Sequence, residues 1–232
     1  MAQVIDAIPT LGAKRSVLKD IKTFFSWCVP RYIPQSPCTG LKAIRYVPRE
    51  RVLTKDELKR VWNAADEYPF GTIIRLLILT GQRRAQITAL QWQWIKDDRI
   101  EFPGSIMKGG TSHTIPLGSL AEKIIGTISK TESPYLFPSR REEGKHFSGW
   151  GKLKYRLDTK ANVSDWTIHD LRRVFSSGLA YLNVPIHVTE KLLAHTSGTI
   201  SGVAAIYNKH AYFDEQKAAL QAWEDWLSSL RA

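Results

Sequence analysis

Residues 168–195 carry the strongest pattern in the chain, with the sequence IHDLRRVFSSGLAYLNVPIHVTEKLLAH. Apolar residues recur at helical spacing from Ile168 to Leu182 and again from Val188 to Leu193, which predicts two helices that each bury one face. The chain has 232 residues, enough to bury a full core. We therefore expect one main, largely helical domain built around this stretch.

Helical periodicity continues on both sides of this stretch. Thr54 and Glu57 have the spacing of a capping box, which predicts the start of a helix that runs to about Ala65. The apolar run from Ile73 to Leu79 ends at Gly81, which predicts a buried helix closed by that glycine. Further helices are predicted over Ile87 to Trp92, Leu120 to Ile128, Trp150 to Leu157, Val203 to Tyr207 and Phe213 to Leu230.

A different pattern lies between Trp94 and Leu117. Two short strand-like segments, Arg99 to Phe102 and His113 to Leu117, are separated by glycines, as in a small antiparallel sheet. The predicted fold class is therefore mainly α (α+β), a helical domain with a small antiparallel β-sheet.

The amino-terminal part of the chain has a different organisation. One helix is predicted from Lys14 to Trp27, and the segment from Tyr32 to Arg51 is rich in proline and basic residues, as expected of a surface linker. We place a boundary near Arg49, with a short segment at residues 1–49 and the main domain at residues 50–232.

The charge balance favours a polyanionic partner over an acidic small molecule. Lys and Arg number 33 against 22 Asp and Glu, a formal net charge of +11. No apolar run approaches the roughly 20 residues of a membrane span, and the first ten residues lack the pattern of a secretory signal. We therefore expect a cytoplasmic protein without a membrane partner. Cys28 and Cys38 have neither metal-site spacing nor a disulfide pattern.

Four short motifs contain residues suited to phosphate chemistry. They are Thr80-Gly81-Gln82-Arg83, Lys108-Gly109-Gly110, His169-Asp170-Leu171-Arg172, and Leu193-Ala194-His195, the last followed twelve residues later by Tyr207. Each motif alone is common in proteins. In this order and spacing, together with the stretch VAAIYNKH at residues 203–210 and then Tyr212, they resemble the tyrosine recombinases of the phage-integrase type, and especially the integrases of prophages and genomic islands.

The resemblance covers about residues 50–232 and implies a catalytic domain that cuts and rejoins DNA through a tyrosine. The six positions that match the catalytic residues of such enzymes are Arg83, Lys108, His169, Arg172, His195 and Tyr207. Residues 1–49 would then be the last helix of a core-binding domain with its basic linker, and the chain a fragment or truncated product.

The resemblance also implies the partners. These are double-stranded DNA at attachment sites, further copies of the chain in a tetramer on synapsed DNA with a monomer in free solution, and accessory DNA-bending or excisionase proteins. Such an enzyme would be associated with the nucleoid of a bacterium or phage host.

The chemistry of these residue types supports the same roles. Two guanidiniums, Arg83 and Arg172, can each offer paired donors to the nonbridging oxygens of a phosphate. A tyrosine has a pKa of about 10, so Tyr207 needs a base such as His169, and His195 can add a hydrogen bond. An ammonium such as Lys108 can protonate the departing oxygen. No P-loop, metal-ligand spacing or acidic triad is visible, and we expect neither metal nor other cofactor.

Several residues depart from the pattern or compete with it. Gln86 stands where the family commonly has an acidic residue, and Ala194 where glycine is frequent. Tyr212 competes with Tyr207 as nucleophile, but its spacing from His195 favours a packing role at the start of the last helix. Arg84 and Arg173 are predicted to be ordinary phosphate or solvent contacts. The remaining histidines that we interpret as structural or surface groups are His113, His187 and His210.

Two other functions remain open from the residues alone. One is a decayed or non-catalytic integrase that only occupies DNA, and the other is strand relaxation of the type IB topoisomerase kind, which needs no partner copy. The predicted helix from Phe213 to Leu230 has an apolar face that can dock onto a neighbouring copy or pack within its own chain.

Overall fold

The structure is a computed structural model that describes residues 2–45, 49–195 and 211–231. The chain divides into two units, residues 1–50 and residues 51–232. The predicted helix from Val203 to Tyr207 lies outside the described residues.

The first unit contains two helices, α1 (Ala2–Asp6) and α2 (Leu11–Cys28). The Thr10 hydroxyl caps α2 by accepting a hydrogen bond from the backbone N–H of Ala13 at 3.3 Å. The helix predicted from Lys14 to Trp27 is confirmed and is one turn longer at its amino end. The five residues of α1 were too few to give a periodic signal.

The second unit is built around α4 (Phe70–Thr80). This helix is apolar on almost every face, and nearly all of its residues are buried, as expected of a helix at the centre of a core. It ends at Gly81, whose φ of +62° is the left-handed conformation that glycine adopts without strain. A Cβ added at Gly81 would lie 2.3 Å from the ring of Phe175. The predicted glycine closure is confirmed, and this position also requires glycine for space.

The other helices surround α4. The capping box of Thr54 and Glu57 is confirmed, since the backbone N–H of Thr54 donates to the Glu57 carboxylate at 2.8 Å and the backbone N–H of Glu57 donates to the Thr54 hydroxyl at 3.2 Å. Besides α4 and the last helix, the helices that the structure describes in the second unit are α3 (Lys55–Ala64), α5 (Arg84–Thr88), α6 (Ser119–Gly126), α7 (Trp150–Ala161), α8 (Ile168–Tyr181) and α9 (Ile186–Leu192).

The helix predicted from Ile87 to Trp92 was wrong in extent. The helix α5 ends at Thr88, and the backbone N–H of Trp92 donates to the carbonyl of Pro134 at 3.0 Å instead of continuing a helix. A short 3₁₀ turn follows at Trp92–Trp94. The apolar residues here pack against a distant segment, and sequence periodicity does not report such a contact.

The predicted antiparallel sheet is confirmed and has three strands, β1 (Ile95–Lys96), β2 (Arg99–Phe102) and β3 (His113–Pro116), in the order β1-β2-β3. In the pairing of β2 with β3, Ile100 lies opposite Ile115 and Phe102 lies opposite His113. Ile100, Phe102 and Ile115 are buried, so one face of the sheet packs on the helical core.

The last helix, α10 (Phe213–Arg231), packs within its own chain. Trp223 is fully buried, and its indole N–H donates to the carbonyl of Ile78 in α4 at 2.9 Å. Glu224 is also buried, and its carboxylate accepts from the backbone N–H groups of Leu120 and Ala121 at the start of α6. The apolar face of this helix is therefore occupied in cis.

The predicted fold class is confirmed: the described chain is mainly helical, with one small antiparallel sheet. No helix in the described ranges is both long enough and apolar enough to span a bilayer.

Candidate active site

Arg172 lies at the centre of the candidate site. It sits in the second turn of α8, whose start is fixed by Asp170, since that carboxylate accepts from the backbone N–H of Thr167 at 2.8 Å. The Arg172 side chain is buried. One guanidinium nitrogen donates to the carbonyl of Gly81 at 2.9 Å, and another donates to the carbonyl of Leu193. Arg172 therefore ties the end of α4 to the end of α9.

The two carbonyls that hold Arg172 lie at helix carboxyl ends, where the helix dipole favours a cation. Burial, together with the smaller effect of the nearby charge of Arg83, lowers the pKa of Arg172 to about 10. Arg172 stays charged at neutral pH, because its pKa remains well above 7. A guanidinium has five N–H donors, so donors remain beyond the two that hold backbone carbonyls.

Arg83 follows α4 by three residues and precedes α5, with its side chain half-buried. Its position is set through Gln86, whose side-chain oxygen accepts from the Arg83 backbone N–H at 2.8 Å. The Gln86 amide nitrogen donates to the sulfur of Met107 at 3.0 Å, and Met107 directly precedes Lys108. Gln86 thus contacts the backbone of Arg83 and joins it to the loop that carries Lys108.

Replacing Gln86 by Leu is expected to lower the free energy of unfolding by about 1–3 kcal/mol, because the half-buried N–H of Arg83 loses its acceptor. Gln86→Glu loses the weak bond to Met107 and buries a carboxylate, but it keeps the acceptor for the Arg83 N–H and places its negative charge beside Arg83, so it should be the milder change. Urea denaturation of both variants measures the difference. Equal stability of the Leu variant and the parent chain would contradict the prediction.

Lys108 lies in the loop between β2 and β3 and is exposed. The loop turns tightly: the Gly110 N–H donates to the Met107 carbonyl at 3.0 Å, and Gly110 has a φ of +71°. A Cβ at Gly104 would lie 2.2 Å from the Gly110 carbonyl oxygen, so the two arms of the loop approach closely. The described contacts connect Lys108 to Arg83 only through Met107 and Gln86.

His169 occupies the first turn of α8 and keeps an exposed surface. Partial burial lowers the pKa of His169 from its ordinary value of 6.5, and the charges of Arg172, Arg173 and Arg83 lower it further against an opposing effect of Asp170. His169 is therefore mostly neutral at pH 7, which is the form of a histidine that can accept a proton.

His195 is also exposed and follows α9 directly. Partial burial lowers the pKa of His195, followed by the charges of Arg172 and Arg83, while Glu190 raises it. Both arginines therefore act on both histidines. The structure brings together four of the predicted site residues, namely Arg83, His169, Arg172 and His195.

The end of α9 explains how His195 is held. The N–H of His195 donates to the carbonyl of Glu190 at 3.0 Å, and the N–H of Ala194 donates to the carbonyl of Lys191 at 3.1 Å. These two bonds form a Schellman motif, in which the residue at the Ala194 position takes the left-handed conformation. Ala194 has a φ of +48°, so the position where glycine is frequent holds a strained alanine.

Replacing Ala194 by Gly is expected to stabilise the fold by up to about 1 kcal/mol, because relief of the left-handed strain exceeds the added entropy of the unfolded chain. Asn183, with a φ of +59°, ends α8 in the same motif and is the matched control. Asparagine tolerates this conformation, so Asn183→Gly should gain less. Urea denaturation of the two variants provides the test, and a larger gain at Asn183 would refute the assignment of strain to Ala194.

Two residues near this cluster were missed from the sequence. His113, interpreted above as a structural or surface group, is half-buried, and its Nε2 is 3.1 Å from the carbonyl of Leu192. Gln82 is buried and donates to the same carbonyl at 2.8 Å. The only local signals were that Gln82 stands inside the motif that contains Arg83, and that His113 begins the predicted strand that follows the Lys108 motif.

Only one of the two candidate nucleophilic tyrosines lies within the described residues. Tyr207, the predicted nucleophile, lies outside the described residues. Tyr212 is half-buried just before α10, and its ring centroid is 4.7 Å from that of His187. The predicted packing of Tyr212 at the start of the last helix agrees with this contact.

The lowered histidine pKa values predict acid sensitivity. Folding lowers the pKa of His113, His169 and His195, so below about pH 6.5 the unfolded chain binds more protons than the folded chain. Their contribution to stability is thus fully present above the ordinary value of 6.5 and is lost as the pH falls through the lowered values. Urea unfolding across this range should show stability decreasing toward acid.

The double variant His169→Gln/His195→Gln is the control for this pH dependence, since it removes two of the three groups. It should lose part of the slope of stability against pH between neutral pH and the lowered pKa values. A double variant with the full slope of the parent chain would show that other groups cause the acid sensitivity.

Comparison with known proteins identifies the family of this chain. The sequence profile of the phage integrase family matches residues 51–213, which is most of the chain. The chain belongs to the phage integrase family. The match includes all six predicted site residues, from Arg83 to Tyr207.

Individual relatives agree with this family. The prophage integrase IntZ of Escherichia coli (strain K12) is 31% identical over 169 residues, which cover 69% of this chain and 40% of IntZ. The tyrosine recombinase XerA of Pyrococcus horikoshii is 29% identical over 181 residues, covering 72% of this chain and 61% of XerA. The chain thus spans less than two thirds of the length of each relative.

Solved structures share the fold. The crystal structure of a lambda integrase dimer bound to a COC′ core site has a TM-score of 0.65 and 20% identity, over 83% of this chain and 75% of that one. The integrase from mycobacterium phage Brujita has a TM-score of 0.60 and 15% identity, over 98% of this chain and 79% of that one.

Proposed function

We propose that this chain is the catalytic part of a site-specific DNA recombinase, or integrase, that cleaves and rejoins DNA through a 3′-phosphotyrosine at Tyr207. The observation that carries the proposal is the cluster of two arginines and two neutral histidines at the ends of α4 and α9 and the start of α8. Such a cluster suits a dianionic phosphorane-like transition state, because it offers fixed donors where negative charge develops. Membership of the phage integrase family supports the same conclusion.

In the proposed cleavage step, the oxygen of Tyr207 attacks the phosphorus of the scissile phosphate and its proton passes to His169. The bond from phosphorus to the 5′ oxygen breaks, and Lys108 supplies the proton that the departing oxygen needs. Arg83 and Arg172 neutralise the nonbridging oxygens, and His195 donates a further hydrogen bond. The reverse attack by a 5′ hydroxyl restores a phosphodiester and frees Tyr207.

This scheme conserves the energy of the broken bond in the phosphotyrosine ester, so it requires neither ATP nor a metal ion. The lowered pKa of His169 supports its role as base, because a histidine must be neutral to accept the tyrosine proton. The exposed position of Lys108 on a tight loop supports its role as a donor that approaches bound DNA.

We propose double-stranded attachment-site DNA as the substrate, and a tetramer on two synapsed sites as the active assembly. A related lambda integrase has been solved as a tetramer bound to a Holliday junction, with a TM-score of 0.64 to this chain. The formal charge of +11 supports DNA binding. Action in the cytoplasm on the nucleoid, with accessory DNA-bending or excisionase proteins, belongs to the same proposal.

We also propose that residues 1–49 correspond to the last helix of a core-binding domain with its linker, and residues 50–232 to the catalytic domain. The relatives named above are integrases and recombinases, so neither a non-catalytic DNA binder nor a type IB topoisomerase-like activity is favoured.

The test uses a nicked suicide DNA substrate with the sequence of the genomic junction beside the gene for this chain. The protein is incubated with this DNA in EDTA and without nucleotide. The expected result on a denaturing gel is protein attached covalently to the 3′ phosphate. DNA binding without any covalent adduct at saturating protein would contradict the catalytic proposal for this chain and would favour the non-catalytic alternative.

A further inference from the structure

The carbonyls at the end of α9 are satisfied in two different ways. The carbonyls of Glu190 and Lys191 accept from the chain's own backbone in the Schellman motif described above. The next carbonyl, of Leu192, accepts from two side chains of other elements, Gln82 after α4 and His113 in β3. The loop that leads into His195 is therefore held from outside the helix, in addition to the bond between Leu193 and Arg172.

The position of His113 in the sheet favours its role as the donor of this hydrogen bond. It is the first residue of β3, and its ring stacks on Phe102, the residue opposite it in the sheet, with centroids 6.4 Å apart and an interplanar angle of 12°. The acceptor is a carbonyl, so Nε2 must carry the proton. Burial lowers the pKa of His113, and the charges of Arg172, Arg83 and Lys191 lower it further, although the bond to Leu192 raises it.

Gln82 binds the same carbonyl, but its own side-chain oxygen is left without a hydrogen bond among the described residues. Its amide nitrogen donates to the carbonyls of Leu192 at 2.8 Å and of Thr80 at 3.1 Å, which fixes the orientation of the amide. Its oxygen is buried and has no hydrogen-bond partner among the described residues. A buried unpaired acceptor costs about 1–3 kcal/mol, which offsets part of what the two donated bonds contribute to stability. An apolar side chain at this position would avoid that cost but would leave the Leu192 carbonyl with one donor fewer.

We propose that His113 and Gln82 are positioning residues, which together fix the end of α9 and thereby the placement of His195 and of the Arg172 guanidinium. Neither residue needs to touch the substrate in this role. The consequence for strand cleavage rests on the proposed function, whereas the consequence for the geometry of His195 does not.

The activity test compares three variants in the suicide-substrate assay at saturating DNA. His113→Phe keeps a flat ring beside Phe102 but removes the donor, and adduct formation should slow by about 10- to 100-fold with DNA affinity nearly unchanged. His113→Gln keeps an N–H donor and should recover much of the rate. His146→Phe is the matched control, because His146 is also half-buried beside a carbonyl, with its Nδ1 3.1 Å from the Phe147 oxygen.

The second readout needs no catalysis. The chain has six histidines, so NMR of the ring resonances can follow the pKa of His195 in the free protein. Loss of the His113 donor should free the end of α9 and move His195 away from Arg172 and Arg83, whose charges lower its pKa. The pKa of His195 should rise toward its ordinary value in His113→Phe and stay unchanged in His146→Phe.

These readouts separate the two proposals. If the parent chain forms no adduct, the proposed function fails and the His195 titration alone decides the positioning role. A folded His113→Phe variant with the parent's adduct rate and the parent's His195 pKa would overturn the positioning role. If His113→Phe does not fold, Gln82→Met replaces it, since methionine has a similar volume and no N–H to donate, and the same two outcomes apply.

Discussion

Replacing Tyr207 by Phe is expected to abolish covalent attachment to DNA, a loss of at least about 10³-fold in the rate of adduct formation. The change removes only the phenolic oxygen, which is the attacking atom in the proposed step, and phenylalanine offers no other nucleophile. DNA affinity should remain close to that of the parent chain, because in the proposed complex the phosphate contacts come from the arginines and other basic residues. The suicide-substrate gel measures the adduct, and a filter or mobility assay measures the affinity.

Tyr212→Phe is the control for this prediction. Tyr212 contacts the ring of His187, and phenylalanine keeps that ring contact. The control variant should form adduct within about twofold of the parent rate, since it removes one hydroxyl group and leaves the residues of the candidate site unchanged. Loss of adduct in Tyr212→Phe together with its retention in Tyr207→Phe would reverse the assignment of the nucleophile.

Local sequence patterns predicted most of the fold because most of its elements depend on local features. The capping box at Thr54, the glycine closure at Gly81 and the apolar face of α8 each arise within a few residues of the chain. The strand β1 has only two residues, and two residues cannot show alternation. The helix predicted beyond Thr88 failed because Trp92 forms its backbone bond with Pro134, about forty residues away along the chain.

The candidate site was predictable only where the residues themselves carry the chemistry. Arg83, His169, Arg172 and His195 stand in short motifs, and the resemblance to tyrosine recombinases brought them together. His113 and Gln82 act through one carbonyl, at sequence separations of 79 and 110 residues. A backbone carbonyl is present at every residue, so the sequence does not indicate which carbonyl a side chain will bind. Such a hydrogen bond can be identified only from the three-dimensional structure. The same limit applies to Gln86, whose contact with Met107 crosses 21 residues.

Arg172→Lys is expected to lower the rate of adduct formation by about 10²- to 10³-fold, although it preserves the charge. Lysine is a point charge on a flexible stem, and it cannot bond the carbonyls of Gly81 and Leu193 while also presenting paired donors to a phosphate. The same change should cost about 1–3 kcal/mol of stability, since one or both carbonyls lose a buried donor. Adduct formation is therefore measured below the unfolding range of the variant, as established by urea denaturation.

The neighbouring arginine is the matched control. Arg173 has a partly exposed side chain, and its ion pair with Asp170 is 3.7 Å long, so Arg173→Lys should change stability by less than about 1 kcal/mol. It also preserves the positive charge near His169, so the pKa of His169 should stay close to that of the parent chain. Arg172→Lys and Arg173→Lys with equal rates would mean that charge alone matters at position 172. A selective loss at Arg172 would mean that catalysis depends on a planar guanidinium fixed between two helix ends, which is the arrangement that the burial of Arg172 produces.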